Sequence, residues 1–178
     1  MKKDVLISIK SKWCEKIISG EKTVEVRKTT PRIDIPFRCF IYCTVGNPTL
    51  NIPISDERLK ADVAVNGMQS MNCPIGNGKV IGEFVCDAIY KFSTRVYLGE
   101  EQLISDDEVV QKSCVPRSDL RKYEGVKEPY GLYGWHIADL KIYDEPKTIL
   151  EMRFLDTVAM PERRVSWPPQ SWRFVQEG

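Results

Sequence analysis

The hydrophobic pattern changes period several times along the chain. Asp4 to Ile9 tends to the two-residue alternation of a β-strand, and Ser11 to Ser19 then takes helical spacing, with Trp13, Ile17 and Ile18 on one side. Ser11 is placed to cap that helix and Gly20 to end it. Thr23 to Arg27 is again strand-like: Thr23, Glu25 and Arg27 share one face, and Val24 and Val26 the other. Further strands are predicted over residues 37–44, 79–90 and 133–143, the second containing Gly82 as a bulge or a point of close approach and the last interrupted at Gly134.

Ser105 and Glu108 have the spacing of a capping box opening a helix over residues 105–113, and a second helix is predicted over 118–123, ended by Gly125. Residues 45–77, rich in Pro, Gly and Asn, predict a long crossing loop with a weak helical piece from Asp56 to Ala61. Beyond Asp156 the periodicity is lost, and the chain ends in the aromatic, proline-rich run from Trp167 to Phe174. Such a tail is expected to dock on the body, with an exposed stacking platform as the functional alternative. The expected organisation is one domain over residues 1–155, including the loop, with the tail at 156–178.

Composition narrows the class. Apolar residues at 42% and charged residues at 29% suit a globular chain that buries its own core. The net charge of +1 excludes a global field towards nucleic acid or an anionic membrane, so any such binding must be local. Lys10, Lys12, Lys16, Lys22, Arg27, Lys28 and Arg32 crowd the first fifth of the chain, which favours a basic patch there, although any single lysine is more simply a solvated charge. No secretory h-region follows Met1, which predicts a cytoplasmic protein. The six cysteines (Cys14, Cys39, Cys43, Cys73, Cys86 and Cys114) are then expected to be reduced thiols. A metal site from Cys39, Cys43 and His136 has the wrong spacing for zinc, so no cofactor or metal is expected.

The run Leu6 to Lys10, the short helix, and then Ile18-Ser19-Gly20-Glu21-Lys22-Thr23-Val24-Glu25-Val26-Arg27 resembles the ASCH (activating signal cointegrator homology) domain, whose signature is a Gly-x-Lys loop followed closely by Arg. The resemblance continues through Phe37–Thr44, Gly78–Phe84, Gly131–Ile137 and Pro168–Trp172. It implies an α+β fold, a PUA-like and mostly antiparallel β-barrel with flanking helices. It also implies RNA or a modified nucleoside as partner, bound without chemistry or hydrolysed without a metal by an amidohydrolase or ribonuclease. Some relatives are similar to hydrolases of N4-acylated cytidine that use a Lys and a Thr on this loop. Lys22 matches that Lys, whereas Glu25 stands where those enzymes carry Thr.

The residues themselves point to the same place. Lys22 at a helix-to-strand turn can hold an anion, and Glu25 between two cations suits a binding cradle better than a general-base lysine. Glu25 can also accept a hydrogen bond from the exocyclic amine of a base. An ordinary surface ion-pair set is the simpler alternative. The candidate catalytic residues are Lys22, Glu25 and Glu83; the candidate ligand-binding residues are Ser8, Lys10, Lys22, Glu25, Arg27 and Trp135. Trp135 and His136 share a strand on which one of them could stack on a base. As a loop residue, Lys22 is expected to matter little for folding.

Overall fold

The computed structural model describes residues 3–60, 73–95, 105–126, 131–155 and 164–177. The chain divides into two compact units. One comprises Met1–Glu15, Cys39–Glu83 and Lys141–Gly178, and the other Lys16–Arg38 and Phe84–Leu140.

The first unit is built on a mixed sheet. Strand β1 (Asp4–Ile9) is buried along its whole length, because it pairs on one side with β3 (Phe37–Cys43) in parallel and on the other with β9 (Trp172–Glu177) antiparallel. The sheet order is β7 (Ala138–Lys147), β4 (Val80–Cys86), β3, β1, β9, β8 (Met152–Phe154). Leu6, Phe40, Val80, Met152, Val165 and Val175 fill the core of this unit. The aromatic end of the tail is therefore an inner strand of the sheet. Its strand character was not legible because Trp172 to Glu177 lacks clean alternation, and the pairing with β1 and β8 decides it.

The ends of the long loop are tied to the same unit. Asn77 Oδ1 accepts from the Leu50 N–H, and its amide donates to the carbonyls of Gly46 and Pro48. Ser55 donates through N and Oγ to Asp144 and opens helix α2 (residues 56–60). Residues 61–72, including the predicted helical end at Ala61, lie outside those described.

The second unit holds a three-stranded antiparallel sheet, β2 (Val24–Arg27), β6 (Leu132–His136) and β5 (Ile89–Phe92) in that order. Helices α3 (Asp106–Ser113) and α4 (Arg117–Glu124) belong to the same unit, and Val109 and Leu120 pack with Val24, Val26, Phe92 and Leu132. The Ser105 hydroxyl accepts from the Glu108 N–H as the motif predicts, while the Glu108 carboxylate instead meets Lys112 at 3.0 Å. Gly125, at φ 89°, ends α4.

Helix α1 (Ser11–Ile18) ends one residue short of its predicted span. Ser11 is its first helical residue, the Lys10 carbonyl receives its first bonds, and Gly20 follows at φ 78°.

The expected closed barrel is corrected: among the described residues two open sheets form. The pairing is mixed, with β1–β3 parallel and β1–β9, β2–β6, β5–β6 and β8–β9 antiparallel. The apolar run 79–90 breaks at Asp87 and Ala88, and the run 133–143 breaks at Ile137, so that each supplies one strand to each sheet. Backbone bonds from His136 N to Ala88 O and from Ile137 N to Thr23 O fix these breaks. Gly134 interrupts nothing. It lies within β6, where an added Cβ would come within 2.9 Å of Val109 and of Val24, so the packing of α3 on the sheet requires glycine.

Candidate functional site

The loop Gly20 to Thr23 reverses the chain from α1 into β2, and it is bolted to the C-terminal end of α3. The Thr23 N–H donates to the Lys112 carbonyl at 3.0 Å, and the Cys114 thiol donates to the Glu21 carbonyl at 3.3 Å. Lys22 reaches inward from this loop and is 1% exposed. Its Nζ donates to the Ser113 carbonyl at 2.7 Å and the Val24 carbonyl at 2.8 Å, and it lies 3.1 Å from Glu25 Oε2. Ser113 is the last residue of α3, so the ammonium satisfies a helix-terminal carbonyl and sits at the negative end of the helix dipole.

Glu25 joins that ammonium to Arg27. Its second oxygen, Oε1, lies 3.0 Å from Arg27 Nη2, and both side chains are almost fully buried, at 8% and 10% exposed. Alternation along β2 turns Glu25 and Arg27 to the face opposite Val24 and Val26, which pack in the core. Lys22, Glu25 and Arg27 therefore form a buried three-member ion network. The premise that Lys22 is a surface loop residue is corrected: the two carbonyls and Glu25 draw it inside, and it is among the largest fully buried side chains described.

The remaining candidates are distributed differently. Trp135 belongs to the same unit and stands opposite Glu25 in the sheet register, but its ring is fully buried and meets the edge of Phe37 at 5.7 Å. His136 is half-buried, with Nδ1 2.6 Å from Asp87 Oδ1. Ser8, Lys10 and Glu83 belong to the first unit. There Ser8 is buried and donates to the Pro169 carbonyl at 2.6 Å, Lys10 is exposed, and Glu83 accepts from the Tyr143 hydroxyl at 2.6 Å. Of the basic run, Lys16 pairs with Glu21, Lys12 lies over Trp13 and Lys28 over Tyr123.

Two residues that share the Glu25 and Arg27 face are not among the candidate site residues, although Tyr133 lies in the Gly131–Ile137 run of the resemblance. Tyr133 is the cross-strand partner of Arg27, and Lys91 is the partner of Tyr133. Only the register of three strands separated widely in sequence brings them together; a single sequence supplies no pairing information. Burial pushes the Cys86 thiol up to about 12, which removes it as a nucleophile near neutral pH. All six cysteines are free thiols, with Cys73 exposed. Among the described residues no group of three or more His, Cys, Asp or Glu side chains is arranged to hold a metal ion. Nor is any described helix long and apolar enough to cross a membrane.

The arrangement of a six-stranded mixed sheet and a small antiparallel sheet is similar to the fold of ASCH proteins of known structure. The crystal structure of ASCH from Zymomonas mobilis aligns with 97% of this chain, over 87% of its own length, at a TM-score of 0.57 and 18% identity. A serine-to-alanine variant of that protein aligns at 0.57 and 17%, covering 98% of this chain and 89% of the variant. A tyrosine-to-phenylalanine variant aligns at 0.52 and 20%, covering 98% and 91%. The sequence matches neither a protein-family profile nor a curated protein.

Proposed function

We propose that this protein binds RNA or a modified nucleoside on the face of the small sheet that carries Glu25 and Arg27, and that Lys22 orders the site without acting as a base. The observation that carries this reading is the geometry of the network. The N–H donors of Lys22 are directed to two carbonyls and a carboxylate, whereas a general base must present a lone pair to substrate. Glu25 uses one oxygen for each cation, so a second lone pair remains on each oxygen for the exocyclic amine of a base. The fold shared with ASCH proteins and the resemblance of Gly20 to Arg27 to their signature support a nucleic-acid ligand. The near-neutral net charge favours a nucleoside-sized unit over a long duplex.

The test is a titration of the four ribonucleosides, their N-acylated and methylated forms and short single-stranded RNAs, with products followed by mass spectrometry. Arg27→Lys keeps the charge but loses the planar fork, and should weaken the tightest ligand about tenfold. Full affinity in that variant would move the site elsewhere. Product formation that disappears in Lys22→Met, with ligand affinity and fold retained, would replace the binding reading by the hydrolase.

A further inference from the structure

The side of the small sheet away from Glu25 and Arg27 carries a second group of polar side chains, all within the second unit. Directly opposed residues of antiparallel strands share a face, and His136 on β6 stands opposite Val24 on β2, so His136 lies on that side. Its Nδ1 is 2.6 Å from Oδ1 of Asp87, at the break between β4 and β5. A carboxylate only accepts, so in the neutral ring Nδ1 carries the proton and Nε2 keeps the lone pair. Nε2 has no hydrogen-bond partner among the described residues, and it is not one of the buried polar atoms left without one, so it opens to solvent. The side chain is 31% exposed. Tyr90 on β5 sets its ring beside the imidazole, with centroids 6.4 Å apart and planes at 65°. Burial, the largest influence on it, holds the Tyr90 phenol above its ordinary pKa and so keeps its proton in place as a donor.

A fixed tautomer with an open lone pair suits a nucleophile, and the surrounding charges choose the electrophile. The charged side chains whose fields reach Tyr90 are Lys112, Asp87 and Glu108, and Lys112 is held by Glu108 at 3.0 Å. Two carboxylates against one ammonium repel phosphoryl donors and acyl phosphates, which leaves an uncharged carbonyl. The leaving group narrows the class further. Imidazole is expelled more readily than an alkoxide or an amide nitrogen, so only carbonyls with a weakly basic leaving group, aryl esters and thioesters, go forward. We infer that His136, oriented by Asp87, is an acyl acceptor for uncharged activated esters. Nε2 adds to the carbonyl carbon, the Tyr90 hydroxyl donates to the oxyanion, and the C–O or C–S bond breaks as phenolate or thiolate leaves. The acylated ring sheds its Nδ1 proton, and water then cleaves the new C–N bond, releasing the carboxylic acid and restoring the neutral imidazole. The sum is ester plus water giving acid plus phenol or thiol, so no reactant besides water is required. Binding of a nucleoside on the opposite face and acyl transfer here do not depend on each other.

His136 is the only histidine in the chain, which makes the test specific. The intact protein is mixed with p-nitrophenyl acetate in one arm and with the acetyl thioester of N-acetylcysteamine in the other, and each reaction is compared with the same concentration of N-acetylhistidine. The protein should react at least about tenfold faster than the free amino acid, with a burst of leaving group, and acid-quenched samples should carry acetyl on His136 by peptide mass spectrometry. His136→Gln should abolish the burst. Asp87→Asn should lower the rate about tenfold, and nitrogen NMR of the single imidazole should show its proton moving from Nδ1 to Nε2, a change that lost packing alone would not produce. Tyr90→Phe should slow acylation about tenfold, through the lost oxyanion donor. Reaction in the first arm alone identifies aryl esters as the class, and in the second alone thioesters. A rate no greater than that of N-acetylhistidine in both arms, or acetyl found on lysines and not on His136, overturns the inference. An Asp87→Asn protein with unchanged rate and tautomer overturns the role of Asp87, and an unchanged Tyr90→Phe overturns that of Tyr90.

Discussion

Replacing Lys22 by Met tests the structural basis of the site most directly. Met keeps most of the apolar stem, so no large cavity opens, but it deletes an ammonium that is 1% exposed. Two buried carbonyls, Ser113 at the end of α3 and Val24 in β2, lose their charged donor, and Glu25 loses one of its two cations. Removing one partner of a buried ion pair costs about 3–5 kcal/mol. Because Glu25 keeps Arg27 at 3.0 Å, and because Met carries no desolvation penalty, the low end of that range, ~3 kcal/mol, is the expected loss. For a chain of this length that corresponds to a melting temperature lower by roughly 6–12 °C. Thermal and urea unfolding of Lys22→Met, Glu25→Gln and the double variant form a cycle, in which the double variant should cost less than the sum of the two singles by ~1 kcal/mol or more. Lys10→Met, at an exposed position, should stay within ~0.5 kcal/mol of the parent. If Lys22→Met is as silent as Lys10→Met, the buried network is wrong and Lys22 is the surface residue that its loop position suggests.

Two further outcomes test the packing of each unit. In the first unit, Gly82→Ala would put a Cβ 2.3 Å from the Lys141 carbonyl oxygen and 3.1 Å from Ile142 Cα, and backbone cannot yield cheaply; urea unfolding should show a loss of about 3 kcal/mol, and a silent substitution would refute the close approach of β4 and β7. In the second unit, burial raises the Glu124 carboxyl, but hydrogen bonds from Ser93 and Thr94 outweigh it and hold the group below its ordinary 4.5. A depressed carboxylate contributes stability above its unfolded value and loses it as the pH falls through the folded one. The wild-type advantage in melting temperature over Glu124→Gln should therefore be full above pH ~4.5 and disappear in more acidic solution; an advantage independent of pH would contradict the assignment.

Local chemistry alone determined much of this protein. Helical spacing with Gly20 behind it set α1, the Ser105 and Glu108 pair set the start of α3, and β-branched alternation set β2 with Glu25 and Arg27 on one face. Gly82 marked either a bulge or a close approach, and the packing against Lys141 and Ile142 decides for the second. These features depend on neighbours within a few residues, and a sequence displays such neighbours directly. Tertiary structure decided which strands pair. It made β1–β3 parallel, drew the aromatic tail in as β9, and divided two apolar runs at Asp87–Ala88 and Ile137 between the sheets. It also decided that Lys22 is buried, because the acceptor that draws it inward, the Ser113 carbonyl, lies 91 residues away. Tyr133 and Lys91 join Arg27 for the same reason: cross-strand register is a long-range property, fixed by the pairing of whole strands and by no residue's own propensity.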